Sequence, residues 1–348
     1  MNWVRGETLG HGSFGQVNLA FSTSQNYPSL IAVKSCSISL AASLANEKYI
    51  LNELCECPYI IHCFDHDITL EKGEKLFNLF LEYASGGSLA NKLKNCIVSE
   101  YEVRRFTKDI LKGLCYVHQK GYVHCDIKLQ NVLLVEVDGN HVAKIADFGL
   151  AKRAGNARSK CDLRGTIMYM SPEMVTQGEQ ESAADIWALG CLVLEMITGT
   201  PAWKCRRQTD FGGLMMRIGV GDEVPEVPEK LSKLGKDFLG KCFAKNPRER
   251  WTAEMLLDHP FIAGYNEMRD VYCTSPTSAL NFPHWLSAQT SLLPRQIVPE
   301  FISGDEFDWN LRSGSTVLPE NRMHQLVTGY QGSDWSNSRS WVTVRGVN

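Results

Sequence analysis

Over the first 83 or so positions, apolar residues recur in short runs broken by turns: "WVRGETLG", "GQVNLAFS", "LIAVKSCS", "YIIHCFDHDI" and "LFNLFLEYA". Runs of this length, rich in β-branched and aromatic residues, predict strands, and the intervening stretch from Ser43 to Leu54 has helical spacing. The pattern is that of a small sheet with one helix. From Ser88 onward the period changes to that of helices. The clearest starts at Ser99, where Ser99 and Glu102 form a capping box ahead of Val103, Phe106, Ile110, Leu114 and Val117, five apolar positions on one face. Further helices are predicted over Ala183 to Thr198, Lys233 to Phe243 and Ala253 to Asp258, the last with Thr252 as its N-cap. After about Gly264, Ser, Thr, Pro, Gly and Asn become frequent and Trp285, Trp309, Trp335 and Trp341 stand isolated, so this stretch is expected to be at least partly disordered when alone. The chain thus divides into a mostly β lobe (1 to about 83), a mostly α lobe (about 84 to 264) and a low-complexity tail (265–348), an α+β organisation with no solenoid repeat.

Composition narrows the classes without naming one. A chain of 348 residues with 44% hydrophobic and 22% charged residues is ordinary globular material with room for a large core. A formal net charge of -3 provides no overall field for nucleic acid or an anionic membrane, and no stretch approaches the apolar length that crosses a bilayer. Twelve cysteines without framework spacing, behind an N-terminus lacking a secretory run, predict reduced thiols in a cytoplasmic or nuclear compartment. Cys55, Cys57, His62 and Cys63 in "CECPYIIHCF" are zinc-ligating types. With no second pair at finger spacing, they read as small buried residues at a helix end and a strand.

The candidate chemistry lies in four places. "GHGSFG" (Gly10, His11, Gly12, Ser13, Phe14, Gly15) falls between two predicted strands, where glycines let backbone amides close over phosphates. The same letters fit a dinucleotide-binding turn or an ordinary hairpin, but the former wants a helix next and "QVNLAF" reads as a strand. In "IAVK", Lys34 is a cation able to meet nucleotide phosphates if an acidic partner holds its stem. Glu47, which precedes Ile50 and Leu51 by three and four residues, is the expected partner and Glu53 the competing choice; taken singly, each reads as a surface charge. "YVHCDIKLQN", Tyr122 to Asn131, lies on a loop between the Ser99 helix and the strand-like "NVLLVEV". Here Asp126 can accept or orient a hydroxyl proton, Lys128 can offset charge on a moving phosphoryl group, and Asn131 can offer an oxygen to Mg²⁺. In "KIADFGLA", Asp147 is a hard oxygen ligand for the same metal. The order G-x-G-x-x-G, A-x-K, H-x-D-x-K-x-x-N, D-F-G is far more specific than any of its members.

On those motifs the chain resembles the eukaryotic protein kinase family from about Trp3 to Ile262. The resemblance implies a bilobal protein kinase fold using ATP and Mg²⁺, with Val17 and Ala32 beside the adenine, Leu81 at the gatekeeper position and Glu82 to Ala84 as the hinge. It also implies a buried pair between Glu173 of "MYMSPE" and Arg250 of "NPRERW", and Asp185 of "DIWALG" bonded to the backbone of the catalytic loop. Lys128 and Thr166 are the residues of serine/threonine kinases. "HCDIK", "GTIMYMSPE" and "EYASGGSL" together resemble the plant MAP kinase kinase kinase group of the MEKK-like type, which implies a MAP kinase kinase as the protein substrate. The competing readings are a serine/threonine kinase with other targets and a pseudokinase that binds nucleotide and partners without transfer.

Cys125 is the one feature that favours a pseudokinase, since the family usually has at that place an arginine that binds an activation-loop phosphate. Its loss leaves Asp126, Asn131 and Asp147, so transfer is expected to survive with a weaker dependence on loop phosphorylation. Ser159 in "ARSKCD" reads equally as a phosphosite and as an unmodified serine on a basic loop. In the tail, "SPTSALNFPHWLS" and "GDEFDWNLRSG" read either as docking segments, for a partner or the chain's own lobe, or as tryptophans that simply pack; Ser275, before Pro276, is a candidate target for a proline-directed kinase.

Overall fold

The β-rich runs at the start of the chain pair into one antiparallel sheet, in the order β1-β2-β3-β5-β4. The structure is a computed structural model and describes residues 2–12, 15–23, 27–95, 98–155, 165–204 and 211–264; Ser13, Phe14, Ser159 and every tail position named above lie outside these residues. The strands are β1 (Trp3–Gly12), β2 (Gly15–Ser22), β3 (Leu30–Ser37), β4 (Cys63–Glu71) and β5 (Glu74–Glu82), with α1 (Ala42–Glu53) between β3 and β4. β3 is buried from Ile31 to Cys36, as expected of an interior strand covered on both faces. Alternation sends Ile31 and Val33 outward, where they pack with Ala20 and Phe80 under Trp3 and Phe64. Ala32 faces the other way and joins the main core with Val17, Leu79 and Leu81, while α1 packs its buried face of Leu44, Glu47, Ile50 and Leu51 against the sheet.

The expected strand "YIIHCFDHDI" is two things. β4 starts only at Cys63. Tyr59 to Ile61 instead turn to the second lobe, where Ile145 donates its amide to the Tyr59 carbonyl and Ile61 donates its own to the Ile145 carbonyl, both at 2.9 Å. An apolar run carries no sign of which sheet will take its ends, so this division was hidden.

The second lobe contains α2 (Leu89–Asn95), α3 (Glu100–Gln119), β6 (Tyr122–Val123), β7 (Val132–Val137), β8 (Asn140–Ile145), β9 (Lys152–Arg153), α4 (Pro172–Gln177), α5 (Ser182–Thr198), α6 (Phe211–Gly219), α7 (Lys233–Cys242), α8 (Ala253–Leu257) and α9 (Pro260–Ala263). α3 begins with the expected capping box: Ser99 Oγ accepts from the Glu102 amide, and the Glu102 carboxylate accepts from the Ser99 amide. Its apolar face, Val103, Phe106, Ile110, Leu114 and Val117, is wholly buried. α5 is buried on nearly every side, which explains why its sequence is apolar almost without interruption. Thr252 caps α8 through the Met255 amide. Between these helices, β7 pairs with β8 and β6 with β9, and the loops they bound hold the chemistry. Among the described residues, no helix is long and apolar enough to cross a membrane.

Candidate active site

Lys34 sits on β3 one residue after outward-facing Val33, so alternation points its side chain to the inner face, where it is wholly buried. Its Nζ donates to Glu47 Oε2 at 2.6 Å and to Asp147 Oδ1 at 2.9 Å. Burial alone would lower the Lys34 pKa, but the carboxylates of Asp147 and Glu47 outweigh it and hold the pKa above the ordinary lysine value. A permanent cation therefore stands between two carboxylates drawn from different parts of the chain. Glu53, the competing partner, is on the exposed side of α1 and lies 4.0 Å from Arg153 instead.

The "HCDIKLQN" loop forms a second cluster. Asn131 Nδ2 donates to the Asp126 carbonyl (2.9 Å) and to Asp126 Oδ2 (3.0 Å), Lys128 Nζ lies 2.8 Å from Asp126 Oδ2, and Thr166 Oγ1 donates to Asp126 Oδ1 at 2.9 Å. Lys128 also donates to Thr166 Oγ1 at 3.0 Å. The two clusters are joined through His124 and Ala146. His124 Nδ1 accepts from the Asp126 amide (3.2 Å), which leaves Nε2 as the donor to the Ala146 carbonyl at 3.1 Å; Ala146 in turn donates its amide to the Asn131 carbonyl at 2.8 Å. The His124 ring also meets the buried Phe148 ring edge-on, 4.7 Å between centroids.

Beneath the loop, the carboxylate of Asp185 accepts from the amides of His124 (2.8 Å) and Cys125 (2.9 Å), as the resemblance implies, and from His118 Nε2 at 2.9 Å. Burial pushes the Asp185 carboxyl up, but the hydrogen bond and charge of His118, with help from His124, hold it below the usual aspartate value. Cys125 adopts φ 69°, a left-handed conformation uncommon outside glycine, and Asp147 does the same at φ 66°. Both lie in the segments that carry the candidate chemistry. The Cys125 carbonyl accepts from Gln180 Nε2 at 3.1 Å, and a Cβ on Gly165 would come within 2.6 Å of that oxygen. Both backbone groups of position 125 are thus anchored, and its buried thiol lies 3.5 Å from the Val123 carbonyl, a weak hydrogen bond.

A cleft of about 820 Å³, open to solvent, lies beside Glu47 and Asp147. Val17, Ala32, Leu81, Glu82 and Ala84 line it as the resemblance implies. Tyr83, within the expected hinge, lines it too, as do Leu9, Ile61, Leu133 and Ala146, which the sequence reading missed; Leu133, the second residue after Asn131 on a strand, was the most findable by alternation. The Glu82 carboxylate is held by Lys144 Nζ at 2.7 and 2.9 Å and by the His62 amide at 3.1 Å. Gly10, His11 and Gly12 end β1 and Gly15 opens β2, so the glycine run is a hairpin. Gly15 must be glycine: a Cβ there would lie 2.2 Å from the Ser35 carbonyl oxygen.

The residues present fit a hard divalent cation. Asn131 commits its Nδ2 to Asp126, while its buried Oδ1 has no hydrogen-bond partner, and an amide oxygen beside the segment carrying Asp147 is a donor of the right class. The cysteine cluster offers no comparable arrangement: Cys55 is exposed, Cys57 and Cys63 are buried, and the His62 ring packs on Phe64 at 4.8 Å. The expected Glu173–Arg250 pair is present and bidentate, at 2.6 and 3.0 Å, with both partners buried.

Comparison with known proteins agrees with this geometry. Residues 3–262 match the protein kinase domain family. The chain is 46% identical to mitogen-activated protein kinase kinase kinase 20 of Arabidopsis thaliana, over 99% of this chain and 100% of that protein. It is 39% identical to mitogen-activated protein kinase kinase kinase 18 of the same plant, over 99% of each. Against the serine/threonine-protein kinase BCK1/SLK1/SSP31 of Saccharomyces cerevisiae, identity is 34% over 74% of this chain and 18% of that protein. The chain therefore belongs to the protein kinase family, as a serine/threonine kinase of the plant mitogen-activated protein kinase kinase kinase group.

Proposed function

We propose that this kinase transfers the terminal phosphoryl group of ATP to serine or threonine hydroxyls of a MAP kinase kinase. The observation that carries the catalytic reading is the fully buried Lys34 ammonium bonded at once to Glu47 and Asp147. Glu47 fixes the lysine stem, so the cation can meet the α- and β-phosphates without losing side-chain freedom on binding. Asp126 orients the acceptor hydroxyl and takes its proton, Thr166 and Asn131 hold that carboxylate in place, and Lys128 offsets charge on the phosphoryl oxygens. Asn131 and Asp147 would hold Mg²⁺, which when bound neutralises charge on the phosphate oxygens. Leu81, Val17, Ala32, Leu9 and Leu133 sandwich the adenine, and the backbone of Glu82 to Ala84 reads its edge.

The substrate class is supported by the full-length likeness to two plant proteins named as MAP kinase kinase kinases. Catalysis is favoured over a pseudokinase by the convergence of Lys34, Glu47 and Asp147 and by the unpartnered amide oxygen of Asn131. The test is incubation of purified protein with Mg²⁺, ATP and a panel of inactive MAP kinase kinases, with the modified residues mapped by mass spectrometry. Phosphate on the activation loops of those substrates, lost in Asp126→Asn and Lys34→Met, is the expected result; transfer unaffected by either substitution contradicts it.

A further inference from the structure

The outer face of the N-lobe sheet carries a polar network that its sequence does not announce. Arg5 of β1 donates through Nη1 to Ser35 Oγ on β3 (2.9 Å) and Asn18 Oδ1 on β2 (3.3 Å). Through Nη2 it reaches Asn78 Oδ1 on β5 (2.9 Å) and Glu71 Oε1 on β4 (2.8 Å), and through Nε the other Glu71 oxygen at 3.2 Å. One guanidinium thus touches every other strand of the sheet. The chain of bonds continues from Ser35 Oγ to Asn78 Oδ1 (2.6 Å), from Asn78 Nδ2 to Thr69 Oγ1 (2.9 Å), and from Asn18 Nδ2 and Gln16 Nε2 to Thr8 Oγ1 (3.2 and 2.7 Å). Asn78 is fully buried, and Asn18 and Ser35 nearly so. Buried polar groups cost stability unless they are matched, so five strands converging on one arginine is a built feature.

Alternation says what lies behind it. Five of the eight network residues are immediate neighbours of an inward-facing one: Thr8 of Leu9, Gln16 and Asn18 of Val17, Ser35 of Lys34, Asn78 of Leu79. Leu9 and Val17 line the cleft and Lys34 holds its two carboxylates. That part of the network is therefore the reverse side of the cleft, and Arg5 ties it to Glu71 on β4. It is also concentrated where the backbone ladder is irregular, since the β1–β2 register slips between Arg5 and Thr8 and again between Thr8 and Gly10. A ladder with two slips fixes the path of β1 weakly by itself, and a one-residue error would turn Leu9 out of the pocket.

We propose that Arg5 is a positioning residue for nucleotide: by tying β1 to the far strands it sets the height of Leu9, Val17 and the glycine hairpin over the bound ATP. The proposal rests on the reading of this cleft as the ATP site. Its test compares wild type with Arg5→Met and Arg5→Lys, using Phe64→Leu, which thins the neighbouring apolar patch, as a control for plain loss of stability. Losing the fork is expected to raise the KM for ATP and the Kd for Mg-ADP about fivefold in Arg5→Met, the scale of one or two hydrogen bonds. kcat at saturating ATP and KM for the protein substrate should stay within about twofold, because the catalytic loop is not in the network. Arg5→Lys, keeping the charge but not the fork, should recover only part of the affinity. Unchanged nucleotide affinity in Arg5→Met, or a rise in KM equalled by Phe64→Leu at the same melting temperature, overturns the proposal. Failure of the wild type itself to bind Mg-ADP would instead sink the ATP reading on which it rests.

Discussion

Cys125 departs from the arginine usual in the family, yet its backbone is anchored on both sides. Its amide is fixed by Asp185 and its carbonyl by Gln180, two bonds to the left-handed backbone beside Asp126 that any residue at this position could keep. Asp126→Asn is expected to lower kcat by about 10² to 10⁴, the range of a lost general base, with little change in melting temperature. Asp185 should show itself in acid. Its folded-state pKa is depressed, so its contribution to stability is complete above the unfolded aspartate value and fades as pH falls through the folded value. The gap in urea-unfolding free energy between wild type and Asp185→Asn should therefore be widest near neutral pH and shrink below about pH 4. A gap independent of pH would mean that Asp185 acts through packing alone. The cysteines separate by environment: burial pushes the Cys63 thiol up to about 12, whereas Cys55 is exposed. Alkylation at neutral pH followed by peptide mapping should label Cys55 well before Cys63.

α1 shows the same economy at the level of an element. Besides Glu47, it presents Ser43 and Asn46, one helical turn apart, to the short 3-10 turn following Asp147: Ser43 Oγ donates to the Gly149 carbonyl and Asn46 Nδ2 to the Ala151 carbonyl, both at 3.2 Å. These neutral bonds hold α1 against that turn beside the Lys34–Glu47 pair. Replacing both residues by alanine should speed hydrogen exchange of α1 amides about tenfold, two modest hydrogen bonds' worth, while exchange in α5 is unchanged. The capping box at Ser99 makes a comparable prediction, since Ser99→Ala should cost about 1 kcal/mol by denaturant unfolding.

Elements of this kind were legible where their cause is local. The capping box, the apolar stripe of α3 and the Thr252 cap are written in adjacent letters, and the motif order located Lys34, Asp126, Asn131 and Asp147. Leu9, Leu133 and the Arg5 network were not legible, because their neighbours are set by sheet pairing and lobe packing over long sequence separations. Tyr59 to Ile61 failed for the same reason: the partner that claims them, Ile145, lies far along the chain.

At the scale of the whole molecule, the helical lobe is braced by the buried pair of Glu173 and Arg250. Arg250 donates to both Glu173 oxygens, to the carbonyls of Ala183 and Ala244, and stacks over Trp187 at 5.2 Å. Removing one partner leaves a buried charge uncompensated, so Arg250→Ala should destabilise the kinase by about 3–5 kcal/mol in equilibrium unfolding, far more than loss of an exposed pair. The decisive observation concerns transfer: purified kinase, Mg²⁺ and labelled ATP are mixed with a catalytically dead MAP kinase kinase, beside the Asp126→Asn enzyme. The geometry around Asp126 and Lys34 predicts label on serine or threonine of the substrate's activation loop with the wild type and almost none with the variant. Nucleotide bound without any label transferred, or equal labelling by both enzymes, would contradict it.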